Sequence, residues 1–362
     1  MSPPVRLRRS DQAVPGFTRR RAGRGFVYVD TDGNRITDAD TLARIRELVL
    51  PPAWRDVWIC ADPRGHLQAT GIDVAGRRQY RYHDRWRELR DREKFDRMLD
   101  FGRRLPRLRR QVSHDLASAQ ELSRERVLGA AVRLLDVGLF RIGSHENGDE
   151  DTGLGLATVR REHVRVAGAA VRFDYPAKSG VRRIIEIDEP DSLAVVTALR
   201  RRRSGPAELL AYRSGRRWCH LHADDINDYI KAGLGHDGFS AKDFRTWNAT
   251  VLAATSLAAH AAAASAPGRH RPPSTRRIVN AVTKEVSEAL GNTPAVARRS
   301  YIDPRVFDLY ESGQVARLPV IRRSSPTSRI SERVRRRAEL GVLELLGDAP
   351  VSRTRAGVQQ RT

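Results

Sequence analysis

Ser240-Ala-Lys-Asp-Phe-Arg-Thr-Trp247 is the stretch on which the reading of this chain turns. A serine with an aspartate three residues on is a capping box in its aspartate form, so a helix begins at Ala241. Lys242 and Arg245 then sit in its first turn, where free backbone N–H groups already favour an anion. The helix is expected to run to about residue 266 through mostly alanine sequence. Downstream, 275–290 reads as another helix, ended by Gly291. Thr293 and Pro294 then supply an N-cap and an N1 proline for a short third one. Tyr301 falls about two turns later, just before Pro304 closes that helix.

Upstream, Glu121–Leu135 carries Val127, Leu128, Ala131, Leu134 and Leu135 at the spacing of a core-facing helix. Arg141 follows, in Leu139-Phe-Arg-Ile-Gly143. Val171-Arg-Phe-Asp-Tyr175 and Val181-Arg-Arg-Ile-Ile-Glu-Ile187 read as strands, and Pro176-Ala-Lys-Ser-Gly180 between them puts Lys178 at a hairpin tip. Helices fit 189–203 and 224–233. The first ninety residues have a different texture. Gly25 to Ile36 reads as a strand, an Asp-Gly turn and a second strand, and a short helix spans Thr41–Leu50 before Pro51-Pro52. Val57-Trp-Ile-Cys60, His66 to Gly71 and Arg78-Gln-Tyr-Arg-Tyr-His83 continue the strand pattern, while residues 1–24 look basic and mobile at their start.

The expected class is therefore α+β: a small N-terminal antiparallel sheet domain (1–90), a larger, mainly helical domain with a small sheet or hairpin (91–321), and a loosely attached basic C-terminal tail (322–362) with one helical stretch near Glu332 to Leu346. Deleting that tail is expected to spare the chemistry of the rest.

The 362 residues carry 66 Lys and Arg against 44 Asp and Glu, a formal charge of +22. A chain so charged attracts polyanions, with nucleic acid first. Only five of the basic residues are lysines, at 94, 178, 231, 242 and 284, so a lysine near a motif says more than an arginine. No Gly-x-x-x-x-Gly-Lys-Ser/Thr loop is present for a nucleoside triphosphate, and no metal-ligand spacing is found. Cys60 and Cys219 form neither a zinc site nor a disulfide framework. The N-terminus lacks a signal-peptide core and no stretch suffices for a membrane span, so a cytosolic protein is expected. Phosphoryl chemistry on DNA would then rest on side-chain cations, without cofactor.

Each of Arg141, Lys178 and Tyr301 taken singly reads as an ordinary surface, turn or helix residue. In order, from about residue 16 to 321, the motifs resemble one family: the type IB DNA topoisomerases of the poxvirus and bacterial kind. The segments are Gly16-Phe-Thr-Arg-Arg-Arg-Ala-Gly-Arg-Gly-Phe26, Pro51-Pro-Ala-Trp-Arg-Asp-Val-Trp-Ile59 and Gly76-Arg-Arg-Gln-Tyr-Arg-Tyr-His83. Arg141-Ile-Gly143, Gly155-Leu-Ala-Thr158, Lys178-Ser-Gly180, Lys242-Asp-Phe-Arg-Thr-Trp247, and Leu290-Gly-Asn-Thr-Pro294 through Ser300-Tyr-Ile302 follow.

The resemblance implies that Tyr301 attacks a DNA phosphate, leaving a 3′-phosphotyrosyl bond. Arg141 and Arg245 would clamp the non-bridging oxygens, and Lys178 would protonate the departing 5′-oxygen. Asn292 stands where poxvirus relatives carry histidine. An amide donates a hydrogen bond to a phosphate but exchanges no proton at neutral pH, which leaves oxyanion stabilisation. Lys242 matches a lysine that supports the site. In the first domain, Gln79, Tyr80 and Tyr82 would face the duplex and Arg78 would contact phosphate. Relaxation would need neither metal nor ATP, and a monomer would close around double-stranded DNA in the bacterial nucleoid. A tyrosine recombinase shares this logic, but typically has His-x-x-Arg where this chain has Lys242-x-x-Arg245. A non-enzymatic DNA-packaging protein rests on charge alone.

Overall fold

The computed structural model describes residues 6–117, 122–143, 153–265, 273–317 and 332–347. It divides into two compact units, Met1–Asp96 and Arg97–Thr362, against a boundary near 90 in the sequence reading.

The first unit is a five-stranded antiparallel sheet. Its strands are β1 (Phe17–Ala22), β2 (Gly25–Val29), β3 (Arg55–Ile59), β4 (Leu67–Ile72) and β5 (Arg78–Tyr82), in the order β2-β1-β3-β4-β5. Helix α1 (Ala39–Glu47) is capped by the Asp38 carboxylate, which accepts the Thr41 N–H at 2.8 Å. Ile45 of α1 buries with Ile36, Leu48, Val57, Ile59 and Ala69 in a core of the unit's own. Two expectations change here. Residues 17–22, read as part of a basic, irregular lead-in, form β1. Their strand is cryptic because arginines stand on both faces, and Arg19 is spent on the carbonyls of Pro51 (2.9 Å) and Trp54 (2.7 Å). The second arm expected after the Asp-Gly turn shrinks to one bridge, Val29 to Arg35. The Asp30 carboxylate bends the turn by accepting the N–H groups of Asp32 and Asn34.

Helix α2 (Asp84–Leu116) crosses the boundary between the units. The second unit continues with α3 (Arg124–Gly138), a three-stranded sheet of β6 (Val164–Ala167), β7 (Ala170–Pro176) and β8 (Arg182–Ile187), and α4 (Pro190–Arg201). A hairpin, β9 (Ala211–Ser214) and β10 (Arg217–His220), precedes α5 (Ala223–Leu234), α6 (Ala241–Ala264), α7 (Thr275–Leu290), α8 (Pro294–Ser300) and α9 (Arg305–Glu311). The apolar stripe read on α3 is buried as expected. It meets Trp247 and Phe244 of α6 and Val282 and Val286 of α7 in one continuous core. Each such fully buried large side chain contributes roughly 1.5–3 kcal/mol.

The helix read near Glu332 to Leu346 is present as α10 (Glu332–Gly347), but it is not loosely attached: its Ala338, Val342 and Leu346 enter that same core. The rest of the expected tail, 322–331 and 348–362, lies outside the described residues. Glu339 of α10 is fully buried and accepts two hydrogen bonds from Arg109 of α2, at 2.7 and 2.8 Å. Arg109 also forks onto Asp136 of α3 at 2.8 Å twice, and Arg335 adds a 3.0 Å bond to the same carboxylate. Arg336 approaches Glu339 at 4.0 Å, so both buried carboxylates are met by arginines.

Burial alone would push the Asp136 carboxyl up, but Arg109 and Arg335 hold it below the usual carboxylate range. Its folded value lies below its unfolded one. This stability is therefore present above the ordinary carboxylate pKa and is lost as pH falls through the depressed value. Glu339→Gln strands one buried positive charge and is expected to cost about 3–5 kcal/mol in urea unfolding. An unchanged midpoint would show that the network contributes nothing. Deleting α10 outright is expected to unsettle the whole unit rather than spare it.

Candidate active site

The capping box that opened the reading is present. The Asp243 carboxylate accepts the Ser240 N–H at 2.8 Å, and α6 starts at Ala241. This start exposes Lys242 and turns Arg245 inward, where it is 3 % exposed. The Arg245 guanidinium donates to the carbonyls of Leu139 and, at 2.9 Å, Leu290. Its central carbon lies 5.2 Å from the centre of the Tyr301 ring. One side chain therefore ties together the chain before Arg141, the end of α7 and the tyrosine. Burial lowers Arg245 to about 10, which leaves it charged at neutral pH.

Arg141 reaches the same place from the other side. Leu139 ends α3 in the left-handed region (φ 54°), a costly conformation for a leucine, and its carbonyl is the one Arg245 holds. Beyond it, Leu156 and Ala157 donate their N–H groups to the carbonyls of Arg141 (2.8 Å) and Ile142 (2.7 Å). Gly143 has φ +74°, and a Cβ there would lie 2.8 Å from the Gly155 nitrogen. Only glycine permits this backbone contact. The Thr158 hydroxyl completes the brace by accepting the Gly155 N–H at 2.9 Å. The paired segments Arg141-Ile-Gly143 and Gly155-Leu-Ala-Thr158 are thus two halves of one support for the Arg141 backbone.

Asn292 arrives through the end of α7. Gly291 takes the left-handed conformation (φ 61°), and the Asn292 side-chain oxygen accepts a hydrogen bond from Arg141. Its Nδ2 is buried without a partner. An unpaired buried donor is costly, so the Asn292 amide calls for an acceptor such as an oxyanion. Thr293 caps α8 by accepting the Val296 N–H at 3.3 Å, and Pro294 follows at N1. Tyr301 ends that helix, 9 % exposed. Burial raises its phenol, yet the cations of Arg245, Arg141 and Lys242 outweigh it and hold the pKa below the ordinary tyrosine value.

The structure therefore brings Tyr301, Arg245, Arg141 and Asn292 together, with Lys242 close enough to act on the phenol electrostatically. Lys178 stands exposed in the turn between β7 and β8. No hydrogen bond or ion pair among the described residues ties it to the four. In the first unit, Tyr80 and Tyr82 stack on β5 with ring centres 6.1 Å apart. Gln79 falls at the alternate position and donates to Asp73 at 2.8 Å, while Arg78 donates to Gln12 at 3.3 Å.

Two contributors escaped the sequence reading. The Thr250 hydroxyl, further along α6, donates to the Tyr301 carbonyl at 3.3 Å and accepts the Asp303 N–H at 3.1 Å. Arg183 of β8 donates to the carbonyls of Glu288 (3.2 Å) and Ala289. A buried helical threonine and one arginine among many give no local signal.

Among the described residues, no group of three or more His, Cys, Asp or Glu could hold a metal ion, and no helix is long and apolar enough to cross a membrane. Residues 25–73 match the family described as bacterial DNA topoisomerase IB, N-terminal domain. The DNA topoisomerase 1B of Acanthamoeba polyphaga mimivirus is 27 % identical over 307 residues, covering 83 % of this chain and 88 % of the viral one. The DNA topoisomerase 1 of Schizosaccharomyces pombe is 28 % identical over 191 residues, 52 % of this chain and 21 % of that much longer protein. Residues 83–312, which contain the whole cluster around Tyr301, match the catalytic core of eukaryotic DNA topoisomerase I, and the chain belongs to the type IB DNA topoisomerases, enzymes of the isomerase class whose substrate is DNA.

Proposed function

We propose that this topoisomerase relaxes supercoiled duplex DNA by cutting one strand through Tyr301, letting the free end swivel, and resealing it. The observation that carries this reading is a buried phenol, made more acidic by two arginines, in one cluster with a buried amide donor that lacks an acceptor. Tyr301, its phenol acidified by the neighbouring cations, gives its proton to water, and Oη attacks the scissile phosphorus, forming the 3′-phosphotyrosyl ester as the bond to the 5′-oxygen breaks. Arg141 and Arg245 neutralise charge growing on the non-bridging oxygens, and Asn292 Nδ2 donates to one of them. Lys178 delivers a proton to the leaving 5′-oxygen once DNA brings the exposed turn into reach, and Lys242 adds charge at the phenol. The ester conserves the energy of the broken bond, so resealing draws on no ATP, and with cations supplied by side chains the chemistry calls for no metal.

In the first unit, Arg78 contacts phosphate and Tyr80 and Tyr82 present a stacked aromatic face to the duplex, while Gln79, at the alternate position of β5, is held by Asp73. A monomer closes around double-stranded DNA in the bacterial cytoplasm. The test is relaxation of supercoiled plasmid in EDTA without nucleotide. Relaxation is expected, and a requirement for magnesium or ATP would overturn the scheme. Duplex binding should also weaken by about 10³- to 10⁵-fold between 50 and 200 mM salt if six to ten phosphates are neutralised. A flat response would contradict closure around DNA.

A further inference from the structure

The carbonyls at the end of α7 have no basic side chain of their own helix to meet them. A helix C-terminus carries partial negative charge and unpaired carbonyls, which a cation can satisfy. Here the cations come from elsewhere in the fold. Arg245 takes the Leu290 carbonyl, and Arg183, reaching over from β8, takes Glu288 and Ala289. Arg183 is half-buried, and a Cβ added to Gly291 would lie 2.7 Å from its Nη1, so the guanidinium is packed directly against the residue that precedes Asn292. Asn292 in turn holds Arg141. The connection runs from Arg183 to the last turn of α7, through Gly291 to Asn292, and so to Arg141.

We propose that Arg183 is a positioning residue for cleavage: by clasping the last carbonyls of α7 it fixes the direction in which Asn292 leaves the helix, and thereby the place of the Asn292 amide and of the Arg141 guanidinium bonded to it. Arg183 itself touches neither the phenol nor, in this scheme, the phosphate. A forked side chain suits the task because two carbonyls on successive residues must be met at once. Lysine at this position keeps the charge but not the fork. The proposal rests on the catalytic reading above.

The experiment is a double-mutant cycle on the full-length protein, measuring single-turnover formation of the covalent adduct on a duplex oligonucleotide. Arg183→Ala is expected to slow adduct formation about 10- to 100-fold through misplacement alone, with duplex affinity unchanged. Arg183→Lys should recover only part of the loss. In an Asn292→Ala background, adding Arg183→Ala should slow the reaction little further, because its target is already gone. Independent, multiplying losses, or an Arg183→Ala protein as fast as the wild type, would overturn the proposal. Should Arg183→Ala fail to fold, the cycle is run with Arg183→Lys and judged the same way. The side-chain amide resonances of Asn292, followed in asparagine-labelled protein without DNA, give a readout independent of activity. They should shift or broaden in the Arg183 variant, and unmoved resonances would count against the clasp. If wild-type protein forms no adduct, the catalytic reading fails on its own, and the resonances still decide on Arg183.

Discussion

Tyr301→Phe is expected to form no covalent DNA adduct and to relax no plasmid, a loss of at least about 10⁴-fold when a nucleophile is removed from a preorganised site. The substitution deletes one oxygen and keeps the ring. The ring packs in the core and carries the cationic face of Arg245, so the fold and the duplex affinity should stay as they are. Adduct formation is read by denaturing gel after mixing with labelled duplex, and binding by titration of the same duplex. An adduct on the phenylalanine variant would place the nucleophile elsewhere. Loss of binding together with cleavage would mean that the phenol holds the site together rather than attacking.

Arg245→Ala is expected to slow cleavage by at least the 10²- to 10³-fold, roughly, that one oxyanion donor supplies. Two further losses follow from its position. The carbonyls of Leu139 and Leu290 are left without their donor, which loosens the segments carrying Arg141 and Asn292. The burial that raises the phenol of Tyr301 also loses its main counterweight, so the tyrosine should give up its proton at a higher pH than in the wild type. A pH–rate profile of adduct formation is the measurement, and the variant's rise should move toward alkaline pH. Arg245→Lys should rescue poorly, because one ammonium cannot serve two carbonyls and a phosphate together. A profile at the wild-type position would remove Arg245 from control of the phenol.

Much of the site was legible because it is built on helix ends, and helix ends have local signatures. Ser240 with Asp243, Gly291, and Thr293 with Pro294 each announce a boundary, and the structure puts a boundary at every one of them. Those boundaries aim Arg245, Asn292 and Tyr301. The hairpin of β9 and β10 also had a signal, a Ser214-Gly215 turn with Gly215 at φ 58°, which the sequence reading passed over. Other features had none. Strand β1 hides behind arginines on both faces, and Arg183 looks like any other arginine until the fold lays it against α7. Glu339 sits in a basic, unremarkable stretch, and nothing nearby in the chain foretells a buried partner 230 positions earlier. Long-range pairing of charges is a property of the packed chain and leaves no periodic trace in sequence.

The way Arg245 joins the carbonyls of Leu139 and Leu290 to the ring of Tyr301 also bears on safety inside a cell. An enzyme that cuts DNA, as proposed for this one, must not do so half-made. Because the groups come from three separate stretches of chain, around Arg141, Arg245 and Asn292–Tyr301, and are joined by that guanidinium and by the Arg141–Asn292 bond, a nascent, nicked or heat-damaged molecule that lacks one of them leaves the others unassembled. Such a molecule can still cling to DNA by charge but lacks the assembled site, so under the proposed mechanism breakage is confined to copies that have finished folding.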